Sequence, residues 1–279
     1  MSTGAIEWLA PSSLRDAVAL RADRGHDATV LAGGTFVGIL MNQGLLRPSA
    51  LLSLGRVEDL RGIAVEDGEL RLGATVTHRE VERDARVRAG WPALARTFAV
   101  VASPRVRNQA TVGGVLADAD YASDPPAMLS ALGARAVLRS PRGDRAVGID
   151  ELILGYYDTC IAPDELLVEV RVPAAPERAV YRKFRSRSTE DRPCVAVAAV
   201  RDRRRLRVVV GAVAERPQEF PDVCALADGR ELDRALAMEI GAGYAERIAA
   251  IDDARGSAAY RRRVTAVEVR RAIEELAAR

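Results

Sequence analysis

The chain has 279 residues, of which 48% are apolar, and its 41 Lys+Arg against 39 Asp+Glu leave a net charge of +2. That balance excludes disorder, a collagen-like repeat and a disulfide-rich miniprotein, and the length exceeds what one hydrophobic core usually serves, so two or three packed subdomains are expected. Cys160, Cys194 and Cys224 are far apart with no C-x-x-C pair, and His26 and His78 are the only histidines. Neither a disulfide framework nor a zinc or iron–sulfur cradle is read from them, so redox chemistry here would need an organic cofactor.

No run approaches the ~20 apolar residues of a membrane span. Residues 1–11 carry an acid and no basic segment, so no secretory signal is read and a cytoplasmic location is expected. The first element is a helix over 14–24, with Ser12 or Ser13 as N-cap after Pro11 and Gly25 as its stop. Residues 28–31 and 50–54 read as strands, giving a small βαβ-like unit of about sixty residues. Residues 63–65 and 70–73, joined at Asp67-Gly68, read as a hairpin. Thr77 opens a helix to about 88, with Glu80 completing a capping box. Another helix covers 91–101, and a short strand at 110–112 ends in Gly113-Gly114. Asp124-Pro125-Pro126 starts a helix to Leu132, with Asp124 either its N-cap or an acceptor for sugar or ribityl hydroxyls.

Strands follow at 136–138, 146–149 and 166–172. After 173–176, strands at 181–184, 195–200 and 207–213 suggest a three-stranded antiparallel meander. Helices at 230–238, 240–251 and 258–276 close the chain, the last with Val264, Val267, Ile273 and Leu276 on one side. The expected architecture is α+β in three parts, 1–58, 59–175 and 176–279.

The sharpest local features are two small-residue turns, each after a strand: Leu31-Ala32-Gly33-Gly34-Thr35-Phe36-Val37-Gly38 and Gln109-Ala110-Thr111-Val112-Gly113-Gly114. Paired glycines let successive backbone N–H groups face one concavity, and such a nest binds anionic oxygens. Two facing nests would grip a diphosphate from both sides. Neither turn matches G-x-G-x-x-G with a following acid, and no Gly-Lys-Ser/Thr occurs, so a Rossmann or P-loop site is not expected. Asp118, Asp120 and Asp124 follow within a segment of small residues.

Together these motifs resemble one family. Ala32-Gly33-Gly34-Thr35 with Met41, then Arg107 to Ala117, then Ala119-Asp120 with Ser123-Asp124, Pro126-Ala127 and Leu129, resemble the FAD-binding subunit of the molybdenum hydroxylases, of the xanthine dehydrogenase and aerobic carbon monoxide dehydrogenase type. Leu154-Gly155-Tyr156-Tyr157-Asp158-Thr159, 164–173 and 181–193 extend the likeness over nearly the whole chain. The resemblance implies a p-cresol methylhydroxylase-type FAD-binding fold of two α/β subdomains plus a C-terminal sheet-and-helix domain. It implies that Leu31, Ala32, Gly33, Gly34, Thr35, Phe36, Val37 and Gly38 wrap the FAD pyrophosphate, that Thr111, Gly113 and Gly114 form a second pyrophosphate loop, and that Asp124 hydrogen-bonds the FAD. Asp118 and Asp120 join this set. Val101 would pack near the flavin and Lys183 beside the isoalloxazine.

Lys183 is the only lysine among 41 basic residues, and a slim ammonium suits a site that a planar guanidinium would not. Phe36, Asp118 and Pro125 depart from the family pattern, as does the polar 186–193 stretch. The resemblance further implies a medium subunit, in a dimer of heterotrimers, that takes electrons from a [2Fe–2S] small subunit fed by a molybdopterin large subunit and passes them to an external acceptor. No side chain is assigned as catalytic and none as a metal ligand. Rival readings are a stand-alone flavoprotein oxidoreductase of the same FAD fold and a flavin-free scaffold. A nucleic-acid module is disfavoured: residues 178–216 hold twelve basic and four acidic residues but only Tyr181 and Phe184 as aromatics, no stacking platform.

Overall fold

The computed structural model describes residues 5–278; Arg279 and the first four residues of the 1–11 opening lie outside them. Three sheets stand in chain order. The first is parallel, built from β1 (Glu7–Leu9), β2 (Ala28–Leu31) and β3 (Ala50–Ser53) in the order β1-β3-β2. The second comprises β4 (Ile63–Glu66), β5 (Glu69–Gly73), β6 (Arg135–Ser140), β7 (Gly143–Gly148) and β10 (Leu166–Val172), ordered β4-β5-β10-β6-β7 and antiparallel throughout. Between β7 and β10 lies a small hairpin, β8 (Ile153–Gly155) and β9 (Asp158–Thr159). The third sheet contains β11 (Arg178–Phe184), β12 (Val195–Asp202), β13 (Arg205–Gly211) and β14 (Gln218–Glu219), in that order and antiparallel. It has four strands rather than the expected three, because Gln218 and Glu219 pair with Val210 and Val209. Two residues with no apolar alternation carry no strand signal.

Caps decide most helix bounds. The helix Leu14–Arg24 starts where the Ser13 hydroxyl accepts the Asp16 N–H at 3.1 Å, and the Thr77–Glu80 capping box forms as expected. The expected 77–88 helix is two, His78–Arg83 and Ala85–Gly90. Asp84 has extended backbone and accepts the N–H groups of Arg86 and Val87, so it ends one helix and caps the next. The expected strand at 110–112 is a single bridge, Thr77 to Thr111, and Gly113 and Gly114 lie in the helix Val112–Ala117. Thr111 caps that helix by accepting the Gly114 N–H. The C-terminal part likewise has one helix, Arg234–Arg247, in place of two, followed by Ala258–Ala278. Val267 is exposed on the last helix, while Ile273 and Leu276 are buried.

The third sheet explains how the parts hold together. β12 reads Val-Ala-Val-Ala-Ala-Val, a run without polar alternation, as expected of a strand covered on both faces. Val195, Val197 and Ala199 face a core shared with the two C-terminal helices, through Ile240, Tyr244, Val269 and Ile273. Ala196, Ala198 and Val200 join the core of the middle sheet, with the helix Pro125–Ala131 packed on β12 and β13. A third cluster unites the first sheet with Val137, Leu166 and Val168 of the second. The basic stretch 178–216 is largely consumed by this assembly. Arg182 pairs with Glu268 and Glu275, Arg207 with Glu219, and Arg201 donates to the Ala227 and Arg230 carbonyls.

Candidate functional site

All three sheets border one cavity of about 940 Å³. The first small-residue turn forms one wall. β2 ends at Leu31, Gly34 turns left-handed with φ +69, and the helix Thr35–Asn42 begins. A β-carbon on Gly33 would lie 1.9 Å from the Gln109 carbonyl oxygen, so only glycine lets this turn seat on the segment before Thr111. Among the described residues no acceptor is found for the N–H groups of Gly33, Gly34, Thr35, Phe36 and Val37, whereas the Gly38 N–H already bonds the Gly34 carbonyl. Five successive free donors at the positive end of an eight-residue helix favour an anion.

The second turn is built differently, and the picture of two symmetric amide nests is corrected. Val112 N–H donates to the Val76 carbonyl, Gly113 N–H to the Ala74 carbonyl at 2.8 Å, and Gly114 N–H to the Thr111 hydroxyl. Those donors are already engaged. Gly113 matters for contact, since a β-carbon there would stand 2.7 Å from that of Ala74. The second turn is a close-packed shelf; the first carries the free amides.

Asp124 closes the far wall. It stands at the N-cap position of the helix Pro125–Ala131, but its side chain makes no capping hydrogen bond there. It accepts the Tyr181 hydroxyl at 2.7 Å and the Lys183 ammonium at 2.8 Å, and Lys183 also donates to the Val100 carbonyl at 2.9 Å. Both charged side chains are buried. Burial pushes the Asp124 carboxyl up and the Lys183 ammonium down, and their mutual attraction opposes both shifts. Lys183 therefore ties the 100–101 segment and Asp124 to β11.

Asp120 accepts the Ala122 N–H and pairs with Arg192 at 2.6 Å. Among the described residues Asp118 has no such partner: burial, then the Asp120 charge, raises its carboxyl to about 7 against the opposing pull of Arg192. Fourteen of the sixteen expected residues line the cavity; Leu31 and Gly38 do not. Leu31 instead supports Gly34 from below, its Cδ1 3.4 Å from where a β-carbon on that glycine would be.

Several lining residues escaped the sequence reading. His78 is buried, its Nε2 3.2 Å from the Thr111 carbonyl and its ring edge-on to Phe98. Desolvation first, and Arg107 after it, depress its pKa to about 4, against the Thr111 contact. Arg107 itself holds the Val101 and Ala102 carbonyls and pairs with Glu82, fixing the turn that presents Val101. Tyr157, Arg192 and Arg255 also line the cavity. Of these, Tyr157 and Arg192 stood in the stretches 154–159 and 181–193 without being singled out, and nothing local distinguished Arg255 from a surface side chain.

The chain is similar to known proteins over nearly its whole length. Residues 4–175 match the FAD binding domain in molybdopterin dehydrogenase, and residues 179–276 the CO dehydrogenase flavoprotein C-terminal domain. The chain is 31% identical to the nicotine 6-hydroxylase medium subunit of Paenarthrobacter nicotinovorans, with all of both chains covered. It is 33% identical to the carbon monoxide dehydrogenase medium chain of Afipia carboxidovorans, covering 100% of this chain and 99% of that one. Among solved structures it superposes on quinoline 2-oxidoreductase from Pseudomonas putida 86 with a TM-score of 0.94 at 30% identity, over 100% of this chain and 99% of the other.

Proposed function

The chain belongs to the FAD-binding medium subunits of the molybdenum hydroxylases, and from that premise we propose that its cavity holds FAD and relays electrons from a [2Fe–2S] partner subunit to an external acceptor. A molybdopterin-bearing large subunit would feed the iron–sulfur partner, and the whole would be a dimer of heterotrimers. One observation carries the cofactor's placement: the five unpaired amides of Gly33 to Val37 at a helix start, on the wall of a cavity of about 940 Å³. Such donors match the two negative charges of a diphosphate.

Bound FAD supplies the electron chemistry, and this chain supplies binding, orientation and exclusion of water. The first turn would hold the diphosphate through main-chain N–H groups. The Thr111 hydroxyl accepts from Gly114, which leaves its own proton to donate to the cofactor. Asp124 and Lys183 place an acceptor and a cation on the opposite wall, fixed by Tyr181 and the Val100 carbonyl. With the electron chemistry supplied by FAD, no side chain is required as general acid or base.

The test is retention of ligand by the full chain. FAD should stay bound through gel filtration at one equivalent, ADP should compete for the same site, and FMN and riboflavin, lacking the diphosphate, should bind at least ~10-fold more weakly. A folded chain that stays colourless in excess FAD, alone and with its accompanying subunits, would overturn the reading.

A further inference from the structure

Two aromatic rings at the cavity remain unused by this account. Phe36 and Tyr157 lie stacked, centroids 5.7 Å apart and planes at 11°. They carry the only benzenoid rings among the cavity-lining residues; the remaining rings there are His26 and His78. Phe36 stands in the first turn of the helix whose amides are free, so the pair adjoins the diphosphate wall. Tyr157 reaches it from the β8–β9 turn and is held there against its own preference. Its φ is +55, a costly conformation for a bulky residue. Its N–H donates to the Ala119 carbonyl at 3.1 Å, and its hydroxyl lies beside the Arg192 guanidinium, which pairs with Asp120 at 2.6 Å. Strain held in place from two sides, at a cavity mouth, marks a positioned group rather than a loop tip.

Resting on the reading above, we propose that Phe36 and Tyr157 form the flat face on which the isoalloxazine ring of FAD lies, extending their stack by one ring, with Arg192 as the residue that positions Tyr157. The adenine ring is flat too, but the position of the pair favours the flavin. Tyr157 is 52% exposed, so this end of the cavity is the open one, and a ring that exchanges electrons with outside partners needs access that adenine does not. The charged groups able to meet the flavin's polar edge, Asp118, the Asp120–Arg192 pair and the Asp124–Lys183 pair, line the same cavity. The pair also answers for the polar 186–193 stretch: that segment supplies the anchor, Arg192, while the aromatic cover comes from elsewhere in the chain.

The experiment uses the full chain, purified with any subunits that accompany it. Tyr157→Phe keeps the stack but removes the readily oxidised phenol that lies beside Arg192. Fluorescence of the bound flavin should rise several-fold, with FAD affinity changed less than ~3-fold. Phe36→Leu and Tyr157→Ala should weaken FAD about tenfold while leaving ADP affinity unchanged, since stacking of a ring on an aromatic side chain is of that order. Equal losses for FAD and ADP would place the pair over the adenine half and overturn the proposal. So would unaltered flavin fluorescence and FAD affinity in all three variants. A wild-type chain that binds no FAD would instead defeat the cofactor reading itself, and this proposal with it.

Discussion

Lys183 shows how one side chain acquires meaning from its surroundings. Its Nζ sits between the Asp124 carboxylate and the Val100 carbonyl, with almost no solvent around it. Replacing it by methionine leaves a buried carboxylate with only the Tyr181 hydroxyl, and removal of one partner of such a pair costs about 3–5 kcal/mol. Lys183→Met should therefore lower the urea midpoint sharply, and adding Asp124→Asn should recover part of the loss. A double variant no more stable than the single one would show that the pair is not the source. Asp118 offers a second measurable effect. Its folded pKa, about 7, is raised above its ordinary value of 3.8. The folded state thus binds the extra proton, and this contribution is complete below pH 4 and lost as pH climbs through 7. Asp118→Asn should gain on the order of 1–3 kcal/mol over wild type at pH 8 and nothing at pH 4. His78, depressed to about 4, runs the other way: its contribution is lost as pH falls from 6.5 toward 4. Urea unfolding of the Asp118 variant across that window separates the two slopes.

At the scale of the element, the two glycine turns look alike in sequence and do different work. Three glycines of the first turn and its helix make a graded series. Gly33→Ala would drive a β-carbon into the Gln109 carbonyl, shifting backbone at a cost of about 2–3 kcal/mol or more. Gly34→Ala meets only left-handed strain at φ +69, about 1–2 kcal/mol. Gly38→Ala meets nothing within 4 Å and should stabilise the helix by about 0.5–1 kcal/mol. Thermal midpoints in any other order would contradict the packing described. The second turn was misread because Ala-Thr-Val is β-prone locally, yet Thr111 makes one bridge and then caps a helix. The 77–88 segment was misread for a related reason. Its helical pattern runs unbroken past Asp84, whose cap to Arg86 and Val87 interrupts it. Caps and hairpin turns with strong side-chain signatures, at Ser13, Thr77 and Asp67-Gly68, were legible in advance.

At the scale of the molecule, the motif order alone pointed to the family, since strings such as Gly33-Gly34-Thr35 and Ser123-Asp124 keep their spacing along the chain. What the sequence by itself determined was whatever depends on neighbours: strand and helix periods, caps, and the two glycine turns with the acids that follow the second. Tertiary structure decided which amides of those turns stay free, because a donor is free only if no distant carbonyl, such as that of Ala74 or Val76, has taken it. It also decided the partners of Asp124 and Asp120, which come from β11 and from the 186–193 stretch, about 60 to 70 residues away. Local sequence sets conformation through torsions and hydrogen bonds a few residues long. Burial, and with it the charge state of Asp118 and the pairing of Lys183, is set only when three sheets close around one cavity.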